Sequence, residues 1–222
     1  MAKKIKKTED IKQLLNQGLK DYVTEKGKKP FFIYQLVDYL QLAGLDFYDY
    51  YSSISELEQE VWKNYMSETI DRLFSEPVFQ EYSGREKLLA FYFTWIEVLK
   101  EDESYTTKYA KKLNFLPGKG FLKGAKQVYL QFVNSVISQG KESGEIVNRV
   151  IISDQYDQAI WLQFLFLMKF WSTDASDDYE KTDAAIEKAV NATFDLFGRN
   201  PIDSIFDFGK FIVQNKNIKH FF

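Results

Sequence analysis

The 222-residue chain is 45% hydrophobic and has no Cys and one His, so it can bury a full core but offers no disulfide, thiol nucleophile or thiolate metal site. Its net charge of -3 gives no overall pull toward nucleic acid, although residues 1–50 carry nine lysines against seven acids, with Lys3, Lys4, Lys6 and Lys7 leading. The richest apolar run, Ile160 to Trp171, includes Gln163 and Lys169 and is too short to cross a bilayer, and no apolar stretch follows the basic start, so a cytoplasmic protein is expected.

Ile11, Leu14, Leu15, Leu19, Tyr22 and Val23 recur at helical spacing between Thr8, a candidate N-cap, and Gly27, where the first helix should stop. After Lys28-Lys29-Pro30, the residues Ile33, Leu36, Val37 and Leu40 mark a short second helix, and a third is expected to begin near Leu42 to Gly44. Ser53-x-x-Glu56 reads as a capping box opening a long helix, with Leu57, Val61, Tyr65, Ile70 and Phe74 on one face until Pro77. A helix from Gly84 to Asp102 comes next, then a broken segment, Ser104 to Phe115. Another helix runs from Phe121 to Gln139 and ends at glycines.

Tyr156 to Trp171 is apolar nearly all round, so every face of that helix needs cover from the chain or from a second subunit. Ser176 or Asp177 should cap a helix with a bulky stripe, Ile186, Val190, Phe194 and Phe197, beside a small one, Ala185, Ala189 and Ala192. Asn200-Pro201 opens one more helix, and Ile218 to Phe222 makes an aromatic end. The pattern is all-α.

Phe47-Tyr48-x-Tyr50-Tyr51-x-Ser53-x-x-Glu56-Leu57 resembles the end of the DNA-recognition helix and the start of the next helix in the tetracycline-repressor (TetR) family. Glu25-Lys26-Gly27 is similar to the family at its position. Gly27 lies twenty positions from Phe47, the family interval without a gap, and this puts Gln41 where the family usually has its turn glycine; Gly44 is the alternative. Gly140 to Ile146, followed by Asp154 and an apolar helix, resembles the family's turn between its seventh and eighth helices.

The resemblance implies a TetR-like, all-α fold, with a helix-turn-helix head and basic tail over residues 1–52 and a helical ligand-binding and dimerisation body over 53–222. It implies DNA contacts by Lys3, Lys4, Lys6, Lys7, Leu45, Tyr48 and Tyr50. Asp46 and Asp49 oppose them, because a carboxylate repels a polyanion. Ile54 stands where the family has a phosphate-contacting lysine. The last two apolar helices would form the two-fold interface of a homodimer, with Phe166, Phe170, Ala185, Ala189 and Ala192 as candidate contacts.

Aromatic residues make up 17% of the chain and concentrate in the body. Phe91, Tyr92, Trp95, Tyr105, Tyr109, Tyr129, Phe132, Val133, Trp161 and Phe164 could line a pocket for an apolar or aromatic small molecule of low charge, or could form a solid core. No phosphate loop, nucleophile elbow or metal-ligand cluster is present, so neither an enzyme nor a cofactor is expected. Asp174, Asp177, Asp178 and Glu180 read as acids at a helix start. The run Trp171-x-x-Asp174-x-Ser176-x-Asp178-x-x-x-Thr182-x-x-x-Ile186-x-x-x-Val190 is similar to the C-terminal region of lipid-binding ubiquinone-biosynthesis proteins that keep the TetR fold without regulating transcription.

The expected function is a ligand-responsive TetR-like regulator that binds DNA as a dimer. The alternative is a TetR-fold protein that has lost DNA binding and carries a hydrophobic or lipid-like molecule.

Overall fold

A computed structural model describes residues 2–42, 45–113, 120–147 and 156–198, with side chains from residue 8 onward. Among these residues there are eight α-helices and no strand: α1 Ala2–Lys26, α2 Ile33–Tyr39, α3 Ile54–Ser75, α4 Gly84–Glu101, α5 Glu103–Ala110, α6 Lys123–Ser143, α7 Tyr156–Trp171 and α8 Glu180–Phe197. One hydrophobic core runs from Leu15 to Phe197. Helix α3 is its axis, packing on α1, α4 and α6, while α8 closes the far side against α4 and α7. No described helix is long and apolar enough to cross a membrane.

Helix α1 begins at Ala2, so Thr8 lies inside it and is not its N-cap, and the residues expected as a basic tail are its first turns. It buries Leu15, Leu19, Tyr22 and Val23 and stops at Gly27, whose φ of 73° is open to glycine at little cost. The Gly27 amide donates to the Val23 carbonyl at 2.9 Å. Helix α2 follows as expected, and the side chain of Gln35 accepts from the amides of Phe31 and Phe32 at 2.7 and 3.0 Å.

Gln41, just after α2, then takes φ 55°, a left-handed conformation. A side chain is thereby strained where glycine would sit freely. Gln41→Gly should raise the unfolding free energy by about 0.5–1 kcal/mol, the relief of strain exceeding the added entropy of the unfolded chain, as read from urea unfolding midpoints.

The third helix expected from near Leu42 to Gly44 is not seen as an α-helix among the described residues. Phe47–Asp49 forms one turn of 3-10 helix, with no α-helix among the described residues between Tyr39 and Ile54. Both ends are fixed by local caps: the Asp46 carboxylate accepts from the Tyr48 amide at 2.9 Å, and Ser53 accepts from the Glu56 amide at 3.1 Å to start α3. The expected capping box is offset by one residue, since the Glu56 carboxylate reaches the amide and hydroxyl of Ser52. A complete box occurs instead at Ser83 and Glu86, where α4 begins.

The segment read as broken contains α5, two turns whose Tyr105, Thr106, Tyr109 and Ala110 are buried. Helix α6 runs past the expected stop to Ser143. Gly140 lies inside it, because a Cβ there would come 2.8 Å from Ile146 Cδ1, and the chain turns at Gly144 with φ 81°. Helix α7 matches its expected bounds and is covered largely by its own chain, with only Leu162 among its large apolar residues above one-third exposure. The helix expected at Asn200-Pro201 and the aromatic end lie outside the described residues.

Candidate functional site: an aromatic cluster tied to the head

Helical spacing brings all ten expected wall residues together. Phe91, Tyr92 and Trp95 sit on α4, Tyr105 and Tyr109 on α5, Tyr129, Phe132 and Val133 on α6, and Trp161 and Phe164 on α7. All are buried. Their rings are in contact: Phe91 meets Tyr129 and Phe132 at centroid distances of 5.0 and 5.2 Å, Trp95 meets Phe164 at 5.4 Å, and Trp161 stacks on Phe164 at 5.0 Å. Offset and edge contacts of this kind hold aromatic cores together beyond simple burial.

The organising ring was not among the candidates. Trp62 on α3 is fully buried and touches Tyr65, Trp95, Tyr105, Tyr109 and Phe121 at 4.8–6.4 Å. It belongs to the buried stripe Glu58, Trp62, Met66, Thr69 and Leu73, which runs beside the Leu57, Val61 and Tyr65 stripe read from the sequence. The signal was the spacing of four, four, three and four residues, hidden by Glu58 and Thr69. Phe74, placed on the core face by that reading, is 52% exposed.

Polar groups in the cluster fall into two sets. The Tyr92 and Tyr129 hydroxyls bond to each other at 2.8 Å, and Tyr92 also donates to Gln163 at 3.5 Å. Burial pushes both tyrosines well above their ordinary pKa, so the pair stays neutral. By contrast, the ring nitrogens of Trp62 and Trp95, the Tyr105 hydroxyl and the Gln163 amide nitrogen are buried without a partner. Each such group costs about 1–3 kcal/mol of lost hydration.

A second network joins the cluster to α1 and to the link between α1 and α2. Glu58 on α3 is only 4% exposed. It accepts a 2.7 Å hydrogen bond from the Tyr109 hydroxyl, and Lys29, in the link between α1 and α2, donates to both its oxygens at 3.1–3.2 Å. Asp102, between α4 and α5, accepts from Lys20 of α1 and from the Tyr65 hydroxyl, each at 2.6 Å. Lys108 of α5 donates to the Val23 and Thr24 carbonyls at 3.1 and 2.9 Å, where a cation suits the end of α1. Burial raises the pKa of Tyr65 and Tyr109, and their carboxylate partners raise it further, so both remain donors. Periodicity could not find these ties, because each joins polar residues far apart in sequence.

On the expected DNA face, Tyr48 is 69% exposed, while Leu45 and Tyr50 are half-buried against the head core. Lys3, Lys4, Lys6 and Lys7 lie along the first turns of α1. Asp46 is engaged as the cap described above, Asp49 is exposed, and residues 45–50 contain no Lys or Arg. Ile54 is buried at the start of α3. Of the expected dimer contacts, Ala185, Ala189 and Phe170 are buried within the chain, and Phe166 and Ala192 are half-buried. Here α8 uses its small stripe to pack closely on its own neighbours.

The acidic run near residue 174 is a structural knot. Asp174 accepts from the amide and hydroxyl of Ser176 at 2.9 and 2.7 Å and from those of Thr182 at 2.8 and 2.7 Å, closing the turn into α8. Asp174, Ser176 and Thr182 are thus accounted for by capping. Among the described residues no group of three or more His, Asp or Glu could hold a metal ion.

The described residues form an all-α fold around an aromatic centre. A family model described as "Tetracyclin repressor-like, C-terminal domain" matches residues 87–212, more than half of the chain. The chain belongs to the tetracycline-repressor-like family, whose regulators are generally non-enzymatic. No curated protein and no solved structure matches it significantly. The likeness of residues 171–190 to ubiquinone-biosynthesis proteins gains no support from the family match.

Proposed function

We propose that the protein is a ligand-responsive regulator that binds DNA as a homodimer in the cytoplasm and takes an apolar or aromatic small molecule into its body. The observation that carries this reading is the chain Tyr109–Glu58–Lys29. One end stands in the aromatic cluster and the other holds the link into α2. A ligand that parts the rings of α4, α5 and α6 moves Tyr109, and the buried carboxylate passes that movement to the head. Lys3, Lys4, Lys6 and Lys7 supply phosphate contacts, with Tyr48 and Tyr50 as further donors and Leu45 as an apolar contact. Phe166 and Ala192, on α7 and α8, lie at the two-fold contact.

A second reading is favoured by the 3-10 turn Phe47–Asp49, the one helical turn among the described residues between Tyr39 and Ile54, which carries Asp49 behind its cap Asp46. In it the fold keeps its hydrophobic ligand and has lost DNA. Binding of the purified protein to DNA from its own upstream region, against scrambled DNA over a salt range, separates the two. The regulator should prefer its own DNA and lose affinity steeply as salt rises, since its contacts are largely with phosphate. A folded dimer that binds neither DNA at low salt would establish the second reading.

A further inference from the structure

The unpartnered polar groups of the aromatic cluster are mostly donors, two indole N–H groups and an amide nitrogen beside one hydroxyl. Trp62 on α3, Trp95 on α4 and Tyr105 on α5 each hold a buried polar group without a partner, and their rings adjoin: Trp62 lies 6.4 Å from Trp95 and 6.0 Å from Tyr105. An indole N–H can only donate. The Tyr105 hydroxyl lies close to Tyr109 and Trp62 without forming an aligned bond to either. Acceptors nearby are already taken, since Glu58 receives Lys29 and Tyr109, and the Tyr92 and Tyr129 hydroxyls bond to each other. Native interiors rarely leave one such donor unsatisfied, and three in adjoining rings mark a place where an acceptor belongs.

Charge narrows the class further. The rings bring no cation, and the charged groups that act on Tyr105 are the Glu58 and Asp102 carboxylates, already paired with Lys29 and Lys20. An anionic ligand would meet a carboxylate without a free cation to balance it. A ligand rich in donors would meet only hydroxyl oxygens as acceptors and would leave both indole N–H groups unpaired. We propose that the site takes a neutral, flat, apolar molecule bearing a carbonyl-type oxygen, which receives the indole N–H groups of Trp62 and Trp95 and the Tyr105 hydroxyl. This rests on the ligand-binding reading above and names its ligand class.

Calorimetric titration of the full-length protein with 9-fluorenone and with fluorene tests it, because the two compounds share size and shape and differ in the carbonyl. The expected result is at least tenfold tighter binding of the ketone. That preference should vanish in a Trp62→Phe, Trp95→Phe double variant, which still binds fluorene through the retained rings. Where thermal melting finds the double variant unfolded, Trp95→Phe alone reads the same loss in part. Equal affinity for the two compounds in the wild-type protein overturns the acceptor class and leaves an apolar ligand standing. Failure of both to bind overturns the ligand-binding reading and this proposal with it.

Discussion

Trp62→Ala should lower the unfolding free energy by about 3–5 kcal/mol, the largest effect expected of any single truncation in the aromatic cluster. The indole is fully buried and touches five other rings drawn from α3, α4, α5 and the start of the α6 segment. No one neighbour can fill the space it leaves, because each is held by rings of its own. Trp62→Phe is the informative control. It keeps an aromatic ring in the stack and removes a ring nitrogen that has no partner, so it should cost only about 1–1.5 kcal/mol. Guanidinium unfolding followed by far-ultraviolet circular dichroism gives both values. Similar losses for Phe and Ala would mean that the nitrogen, not the ring, stabilises this region.

Asp174→Ala should cost about 2–3 kcal/mol at neutral pH, since one carboxylate closes the turn into α8 with four hydrogen bonds. Burial opposes its ionisation and is the largest single influence, yet the bonds from Ser176 and Thr182 together outweigh it and hold the pKa below the ordinary aspartate value. The sign follows from that direction. A carboxyl with a depressed folded pKa stabilises the fold above its unfolded pKa, and the stabilisation is lost as pH falls through the folded value. The gap between wild type and Asp174→Ala should therefore be widest near neutral pH and shrink below about pH 4. Urea unfolding at several pH values measures it. A gap that stays constant down to about pH 3 would assign the loss to packing and not to the ionised cap.

The elements that the sequence disclosed are those whose signal is apolar spacing or a backbone constraint. Helix α7 is apolar on nearly every face, and Gly27 and Pro77 stop helices for reasons of backbone geometry alone. The ten wall residues, nine aromatics and Val133, converge because each occupies a buried helical position, visible at three- or four-residue spacing on the helices that were expected. Where polar residues fill core positions, the signal fails. Helix α5 reads Glu-Ser-Tyr-Thr-Thr-Lys-Tyr-Ala, and tertiary burial of Tyr105 and Tyr109 makes it helical against modest local preference. Glu58 looked like a solvated residue of α3, and its burial depends on Lys29 and Tyr109, twenty-nine positions before it and fifty-one after it. Gly140 looked like a stop and proved to be a seat for Ile146. Among the described residues between Tyr39 and Ile54 the turn Phe47–Asp49 alone is helical; Asp46 caps its start and Ser53 opens α3.

In the proposed regulator, the aromatic cluster and the head communicate through the buried Glu58. Hydrogen exchange of the α2 amides in Tyr109→Phe tests this coupling most directly, because the substitution keeps the ring in the stack and removes only the hydroxyl that bonds to Glu58. The expected result is exchange about tenfold faster in α2 than in the wild type, beyond any change in the α4 and α8 amides that report global unfolding. Equal acceleration in all three helices, or no change in α2, would contradict the coupling and leave Glu58 as a structural tie alone.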